Sequence, residues 1–487
     1  MTTLLSDIAN RIKPAGISGD TDIHISGVAI DSRKVKPGFL YAALPGTAAD
    51  GHQFIDQAIE NGAVAIICRS VQSPKENIAY LFCNDVPEAT GLACDVFYDS
   101  PSSKMVVVGT TGTNGKTTVS TLLFEMFTSM GHKCGLISTV ENKIGDKIIP
   151  STHTTPDAAG LHALMAKMVA AGVTHCFMEC SSHAIHQRRI AGVEFDGAIF
   201  TNITHDHLDY HGTFDNYIKA KKQFFDLLPS GSWALTNKDD RNGLLMLQNS
   251  KASRYTYAMK NGADFQVKIL ESDFQGMLLQ LGGEEMWVNL VGSFNAYNLA
   301  AVYGAAFLIT GGSAENIGLL ISLAKRVNGR FEAISGPDRI TAIVDYAHTP
   351  DALENVIKTI NQIRENSVKL ITVVGCGGNR DKTKRPEMGA IAARLSNTVI
   401  FTSDNPRDED PNQIIADMEA GVEGQHYKKM LKITDRREAI RTAATIAGKG
   451  DVILIAGKGH ETYQEIAGVK HPFDDKKIIQ EIFNQKA

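Results

Sequence analysis

The sequence predicts an α/β protein of three domains: a small α/β N-terminal domain, a central phosphate-loop domain on a mostly parallel sheet, and a Rossmann-like C-terminal domain. Three observations carry this expectation. The chain has 487 residues, about three domains of ordinary size. The apolar run MVVVG, Met105 to Gly109, leads into the glycine loop TTGTNGKTT and then into VSTLLFEMFTSMG, whose apolar residues recur at helical spacing before a terminal glycine. Beyond about Phe331, apolar runs alternate with helical ones, the pattern of a parallel sheet with crossover helices.

In chain order, residues 1–100 mix the short strands AVAIIC and IAYLFC with helical stretches and the polar loop LPGTAADGHQF, a small α/β unit. Residues 101–330 begin at SPSSK and continue through strands HCFMEC and GAIFTNIT, a glycine-rich strand region from Gln266 to Leu290, and the helix AYNLAAVYGAAFLI. Residues 331–487 hold strands ITAIVDYAH, KLITVVGCGG, NTVIFTSDN and DVILIAGKGH between helices such as DALENVIKTINQI and PEMGAIAARL.

With 43% hydrophobic and 21% charged residues and a formal net charge of −5, the composition is that of an ordinary soluble protein and excludes a basic nucleic-acid binder. The N-terminal stretch MTTLLSDIANRIKPAG has neither a basic region nor a continuous apolar one, and no apolar run approaches the ~20 residues that span a bilayer. A cytoplasmic enzyme or binding protein, without membrane insertion and monomeric, is expected. Seven cysteines without CxxC spacing give neither a disulfide framework nor a zinc signature.

In GTTGTNGKTT, Gly112 and Gly115 let the amides of Thr113 and Asn114 turn into a concavity. Lys116 can reach outer phosphates there, and the hydroxyls of Thr117 and Thr118 lie where Mg²⁺ and phosphate oxygens sit. The strict phosphate-loop pattern would need glycine at Thr110. The variant TGTNGKT resembles that of ATP-dependent Mur ligases and folylpolyglutamate synthetases. MECSSHAIHQRR, TNITHDHLDYHGTFDNYIKAK, GSFNAYNLAAV, NGRFE, VDYAHTPDAL and AGKGHETYQ follow in the order of the Mur ligases, so the resemblance covers nearly the whole chain.

The resemblance implies that ATP phosphorylates a carboxylate and that an amine then displaces phosphate from the acyl phosphate. Such a site needs fixed cations against like-charge repulsion. By resemblance, Lys116, Glu179, His205 and Lys221 are the catalytic residues. Thr117, Glu179, His205 and Lys221 would hold Mg²⁺, the lysine after CO₂ converts its amine into a carbamate with hard oxygens. The residues alone read Lys219, Lys221 and Lys222 as a solvated basic helix face; His207 and His211 are read as structural or solvated. Asn295, Asn298 and Arg330 would meet the far end of ATP, with Asp345 and His348 facing it from the third domain. Read without the resemblance, such asparagines and arginines serve equally as caps or surface charge.

The segment GVAIDSRKVKPGFLYAALPGTAADGHQF resembles the uridine-diphosphate pocket of the tripeptide-forming Mur ligases. It implies contacts from Ile30, Ser32, Thr47, Ala48 and Ala49 to a UDP-sugar. Thr154 and Thr155, with Ser181, Gln187 and Arg189, would hold the muramoyl dipeptide. His153 stands where some relatives have asparagine. In SDNPRDEDP, the DNPR sequence marks the ligases that add meso-diaminopimelate. An arginine fork at Arg407 can accept that amino acid's extra carboxylate and would repel lysine's ammonium. Asp404, Asn405 and Pro406 of the same loop, with Arg380, Gly457 and Glu461, complete the expected acceptor site. Asp408, Glu409 and Asp410 are expected to be solvated at the start of the helix PNQIIADMEAGV, where negative charge is favourable. The rival readings are a lysine-adding ligase, a folylpolyglutamate synthetase and a phosphate-loop ATPase switch.

Overall fold

The structure is a computed structural model that describes residues 2–486 except 47–48, 152, 313 and 326. Thr47 and Ala48, expected at the UDP pocket, lie outside the described residues. The N-terminal region holds a five-stranded sheet in the order Gly16–Ser18, Ala79–Phe82, Ala63–Cys68, Phe39–Ala42, Gly27–Ala29, parallel except at its first pair. Helices Leu5–Ile12 and Val86–Phe97 bury Leu5, Ile8, Ala93 and Phe97 against Leu40, Ile67 and Leu81 of this sheet.

The central sheet has eleven strands. Cys134–Ile137, His175–Glu179, Val106–Thr111, Gly197–Phe200, Trp233–Asn237, Ser253–Ala258 and Phe265–Ser272 run parallel, and antiparallel strands extend both ends. Helices Lys116–Ser129 and Ser293–Thr310 cover one face. Ala158–Ala170 and Phe214–Asp226 cover the other. Burial on both faces explains why these strands read as continuous apolar runs. The register pairs Glu179 with Thr110, which puts the carboxylate beside the root of the phosphate loop.

The C-terminal sheet has six strands in the order Glu332–Ser335, Thr341–Asp345, Val452–Ala456, Leu370–Val374, Thr398–Phe401, Met430–Lys432, all parallel but the first. The carboxyl ends of these strands lead into the loops that carry the expected acceptor residues, the side on which open α/β sheets bind ligands.

Helix Val86–Phe97 docks the N-terminal region onto the central one. A Cβ on Gly91 would stand 2.4 Å from the carbonyl oxygen of Ala191, so only glycine allows this approach. One expectation is corrected. Glu409 is not a solvated acid: both its oxygens accept from Arg385, which is fully buried, at 3.0 Å each, and Lys382 lies at 3.1 Å. The buried guanidinium shares its charge between Glu409 and Asp417, whose Oδ2 accepts from it at 2.8 Å. Asp410 does cap the helix Pro411–Glu419, and Asp408 is exposed.

Candidate active site

The phosphate loop turns between the strand Val106–Thr111 and the helix Lys116–Ser129. Gly112 (φ +152°) and Gly115 (φ +89°) make the turn; a Cβ on Gly112 would lie 1.8 Å from the Thr201 hydroxyl. Lys116 folds back so that its Nζ donates to the carbonyl oxygens of Gly112 at 2.9 Å and Thr113 at 2.8 Å. Burial lowers its pKa, against the pull of Glu179 and Asp206. The Thr117 hydroxyl donates to Glu179 Oε1 at 2.9 Å, and Thr139 donates to the same carboxylate through its backbone N–H at 2.8 Å. Thr113 Oγ1 lies 3.0 Å from the Tyr217 hydroxyl, and Thr118 is buried at the helix start.

Lys221 does not belong to a solvated basic face. It is 1% exposed, its Nζ donates to the Gly112 carbonyl at 2.7 Å, and it stands 4.7 Å from the Tyr217 ring centre. Burial, reinforced by the nearby Lys116, pushes its pKa well below the ordinary lysine value. Lys222, its neighbour, instead pairs with Asp226.

His205 follows the strand Gly197–Phe200 and meets the C-terminal region. Its Nε2 is 3.3 Å from Asp381 Oδ2. Asp206, next in sequence, is buried, yet His207, Lys384, His348 and Lys116 outweigh the desolvation and hold its carboxyl at about 2. His211 is buried with its Nε2 3.0 Å from the Ser182 hydroxyl, a structural role as expected.

Between the central and C-terminal regions lies a cavity of about 280 Å³. The loop residues Asn114 and Gly115, with Thr118, Asn295, Tyr297 and Asn298, line one side; Arg330, Asp345, Asp351 and Asn355 line the other. Asn114 Nδ2 donates across it to Asp351 Oδ2 at 3.1 Å. Arg330 reaches the Thr117 hydroxyl at 3.4 Å, its guanidinium 4.6 Å from the Tyr346 ring centre, and its buried Nε has no hydrogen-bond partner among the described residues. Asn298 Nδ2 donates to Asn295 Oδ1 at 3.2 Å. Burial pushes the Asp345 carboxyl up, while two backbone N–H groups, of Phe331 and Ala347, donate to it. His348 is pushed down to about 4 by burial and by Lys384, whose Nζ donates to the His348 carbonyl at 2.9 Å.

A second cluster gathers beside Glu179. The Thr155 hydroxyl donates to the Glu179 carbonyl at 2.8 Å and accepts from the Ser181 N–H at 3.2 Å. Arg189 donates to Gln187 Oε1 through Nε at 2.9 Å and Nη2 at 2.7 Å, and to the Thr155 carbonyl at 3.1 Å. Gln187 in turn donates to the Tyr210 hydroxyl at 2.9 Å. Thr154 accepts from the Thr139 hydroxyl at 3.0 Å. On the N-terminal region, Ile30 and Ser32 follow the strand Gly27–Ala29, with the Ser32 hydroxyl donating to Gln57 at 2.7 Å; Ala49 is exposed.

The expected acceptor residues converge from three loops. Asn405 Nδ2 donates to Glu461 Oε2 at 2.8 Å, and Lys458, fully buried, donates to Asn405 Oδ1 at 3.0 Å and Glu461 at 3.0 Å. Arg407 (φ +51°) donates to the Gly378 carbonyl at 2.7 Å and lies 3.4 Å from Glu465 Oε2. A Cβ on Gly377 would touch Arg407 at 3.1 Å and Arg380 at 3.8 Å, so both arginines border that glycine. A Cβ on Gly378 would fall 1.9 Å from the Pro406 carbonyl, and one on Gly457 2.7 Å from Asp404. The glycines thus let the loops close on one another. Sequence reasoning missed Lys458, Asp381, Asp206, Tyr210 and Asp351. All act through contacts distant in sequence; only Lys458, beside Gly457 in the GKGHE segment, carried a local signal.

A phosphate loop on a parallel sheet, facing a Rossmann-like sheet across a cavity, is the arrangement of a nucleotide-using enzyme, and the chain belongs to the Mur ligase family, a family of ligases. The match runs through residues 24–89 (Mur ligase family, catalytic domain), 110–306 (Mur ligase middle domain) and 329–459 (Mur ligase, glutamate ligase domain). It is 54% identical over 99% of both chains to a Parabacteroides distasonis protein named UDP-N-acetylmuramoyl-L-alanyl-D-glutamate--2,6-diaminopimelate ligase, and 52% identical over 99% of both chains to the Cytophaga hutchinsonii protein of that name. A solved structure with the same title superposes with a TM-score of 0.71 at 34% identity, covering 100% of this chain and 99% of that one.

Proposed function

We propose that the chain joins meso-diaminopimelate to UDP-N-acetylmuramoyl-L-alanyl-D-glutamate, with ATP as the source of free energy, in peptidoglycan synthesis. The observation that carries the acceptor is the cluster in which Asn405, Asp404 and Glu461 meet around Lys458 from loops that follow different strands, with Arg407, held by the Gly378 carbonyl, two residues beyond Asn405. A diaminopimelate terminus brings one ammonium and one carboxylate, and this pocket offers two carboxylates and an arginine to receive them. The names of the full-length relatives agree with this reading.

The chemistry follows in two displacements. An oxygen of the substrate carboxylate attacks the γ-phosphorus of ATP, the bond to the β-bridging oxygen breaks, and ADP leaves. The uncharged amine of the acceptor then attacks the acyl carbon, the C–O bond to phosphate breaks, and the amine's proton is lost as the amide forms. Lys116 turns from the loop carbonyls to the triphosphate and offsets its charge. Asn295, Asn298, Arg330 and Asp345 border the nucleotide cavity, and His348 follows Ala347 of its lining. Thr155, Ser181, Gln187 and Arg189 hold the dipeptide; Ile30, Ser32 and Ala49 border the sugar nucleotide. The cleft between the two regions keeps water from the acyl phosphate.

The residues present fit Mg²⁺. The Thr117 hydroxyl and the Glu179 carboxylate are hard oxygen donors 2.9 Å apart, and Lys221, whose amine reaches the Gly112 carbonyl of the same phosphate loop, would as a carbamate add two more. His205, the fourth residue the resemblance implies, instead meets Asp381 at 3.3 Å, and among the described residues no three His, Cys, Asp or Glu side chains gather into a metal cluster. When bound, the ion neutralises phosphate charge and fixes oxygens for in-line transfer. The buried, deprotonation-prone amine of Lys221 is the form that takes up CO₂. Protein exchanged into ¹³C-bicarbonate should show a carbamate carbonyl resonance that vanishes in Lys221→Met; a wild-type spectrum without it would remove the carbamate from the mechanism.

The deciding assay follows phosphate release with UDP-muramoyl dipeptide while the amine is varied among meso-diaminopimelate, L-lysine and L-glutamate. Release should require both dipeptide and amine and be greatest with diaminopimelate. Turnover with lysine at an equal or higher rate overturns the acceptor.

A further inference from the structure

Lys458 is a fully buried lysine on the loop after the strand Val452–Ala456. Its Nζ donates to Asn405 Oδ1 at 3.0 Å and Glu461 Oε2 at 3.0 Å and lies 3.5 Å from Asp404 Oδ1. One ammonium thus joins three residues of the acceptor pocket, two of them from the loop after Thr398–Phe401. It also orients an amide. Asn405 Oδ1 accepts from both Lys458 Nζ and the Glu465 N–H at 2.9 Å, so Nδ2 is left to face Glu461. That NH₂ group is a donor the acceptor's carboxylate can use.

Charge gives the lysine a second role. Around the site stand the carboxylates of Asp404, Glu461 and Glu465 and the cations of Lys458, Arg407 and Arg380. Glu465, on the strand Tyr463–Ile466, pairs with Arg407 at 3.4 Å, and Arg436 is neutralised by Asp475. Three carboxylates against three cations make a site of no net charge, which suits the zwitterionic terminus of diaminopimelate. Without Lys458, one carboxylate is in excess, which suits a terminus with a lone ammonium. We infer that Lys458 is a positioning and specificity-determining residue, one that sets the pocket's charge and the Asn405 amide so that a zwitterionic amino-acid terminus is preferred over a cationic one. This rests on the acceptor reading above.

The test compares wild-type enzyme with Lys458→Met and Lys458→Gln, measuring kcat/KM for meso-diaminopimelate and L-lysine and the KM for ATP. The diaminopimelate KM should rise by about 30-fold or more on losing a buried, charge-assisted partner. The preference for diaminopimelate over lysine should fall at least ~10-fold, with the ATP KM within ~2-fold of wild type. Lys458→Arg, which keeps the charge, should recover part of the preference. A merely structural lysine would lower both acceptors by one common factor; that result overturns the inference, as does a parallel rise in the ATP KM. If neither uncharged variant folds, the ammonium serves the fold and not selection, and the inference is likewise overturned. Wild-type enzyme that ignores diaminopimelate refutes the acceptor reading itself, a separate outcome visible before any variant is made.

Discussion

Replacing Arg407 by alanine isolates the side chain proposed to separate a diaminopimelate site from a lysine site. Arg407 sits at φ +51° and its backbone N–H donates to the Glu465 carbonyl at 3.1 Å. Alanine meets the same left-handed strain as arginine, so the backbone cost cancels in the comparison, which it would not for glycine. The guanidinium is only 21% exposed and is held by the Gly378 carbonyl and Glu465. It is therefore oriented before substrate arrives, and little entropy is lost when a carboxylate binds. A charge-assisted bond contributes about 1.5–3 kcal/mol, and a forked pair at a partly solvated site about 2–3 kcal/mol in all. At ~1.4 kcal/mol per decade, kcat/KM for diaminopimelate should fall ~30- to 150-fold. The nucleotide cavity is lined by other residues, so the ATP KM should stay within ~2-fold, and lysine, no longer repelled, should gain relative to diaminopimelate. Continuous phosphate-release kinetics with each amine in turn reads all three quantities. An unchanged diaminopimelate KM, or an ATP KM that rises as far, would show that this loop faces a different ligand.

Two further predictions concern stability. Arg436 and Asp475 are both fully buried and joined by two bonds of 2.8 and 2.7 Å, so Asp475→Ala leaves a buried guanidinium unpaired and should cost about 3–5 kcal/mol; calorimetry showing a loss below ~1 kcal/mol would contradict this. Burial, with His132 adding to it, pushes His175 from 6.5 down to about 4 among the rings of Phe127 and Phe177. Because the folded value lies below the unfolded one, its contribution is complete above pH 6.5 and is lost as pH falls through 4, ~3 kcal/mol in all. His175→Phe should flatten the dependence of the urea midpoint on pH between 7 and 4.5, and an unaltered slope would place the titration elsewhere.

What the sequence made legible was local. The phosphate loop could be read because its strand, glycines, lysine and helix are contiguous, and Asn405 and Arg407 because DNPR sits directly after a strand. Lys221 was chosen among three lysines only by motif position; its burial sets it apart from Lys222, one residue on, which pairs with Asp226. Glu409 shows the limit. As an acid before a helix it reads as solvated, and nothing nearby in sequence reveals that Arg385, twenty-four positions away, is buried without exposure and needs two oxygens. The same holds for His205 and Asp381, which are 176 positions apart, and for Asn114 and Asp351, which are 237 apart. Sequence pattern reports which faces are apolar; it does not report which polar groups meet once those faces are packed.

Two of the buried contacts bear on how one loop could serve both a cation and the proposed carbamate. The Gly112 carbonyl accepts from Lys116 Nζ at 2.9 Å and from Lys221 Nζ at 2.7 Å. Two ammonium groups on one carbonyl repel each other in a water-poor site, and each lowers the cost of removing the other's charge. Lys116 can leave this arrangement by turning toward a triphosphate, which restores a counter-charge. Lys221, fixed on the helix Phe214–Asp226 behind Tyr217, has no such exit and is the one driven to the neutral amine. The proposed carbamate then resolves the conflict by reversing the sign of one partner, so the loop would hold Lys116 opposite an anion in place of a second cation.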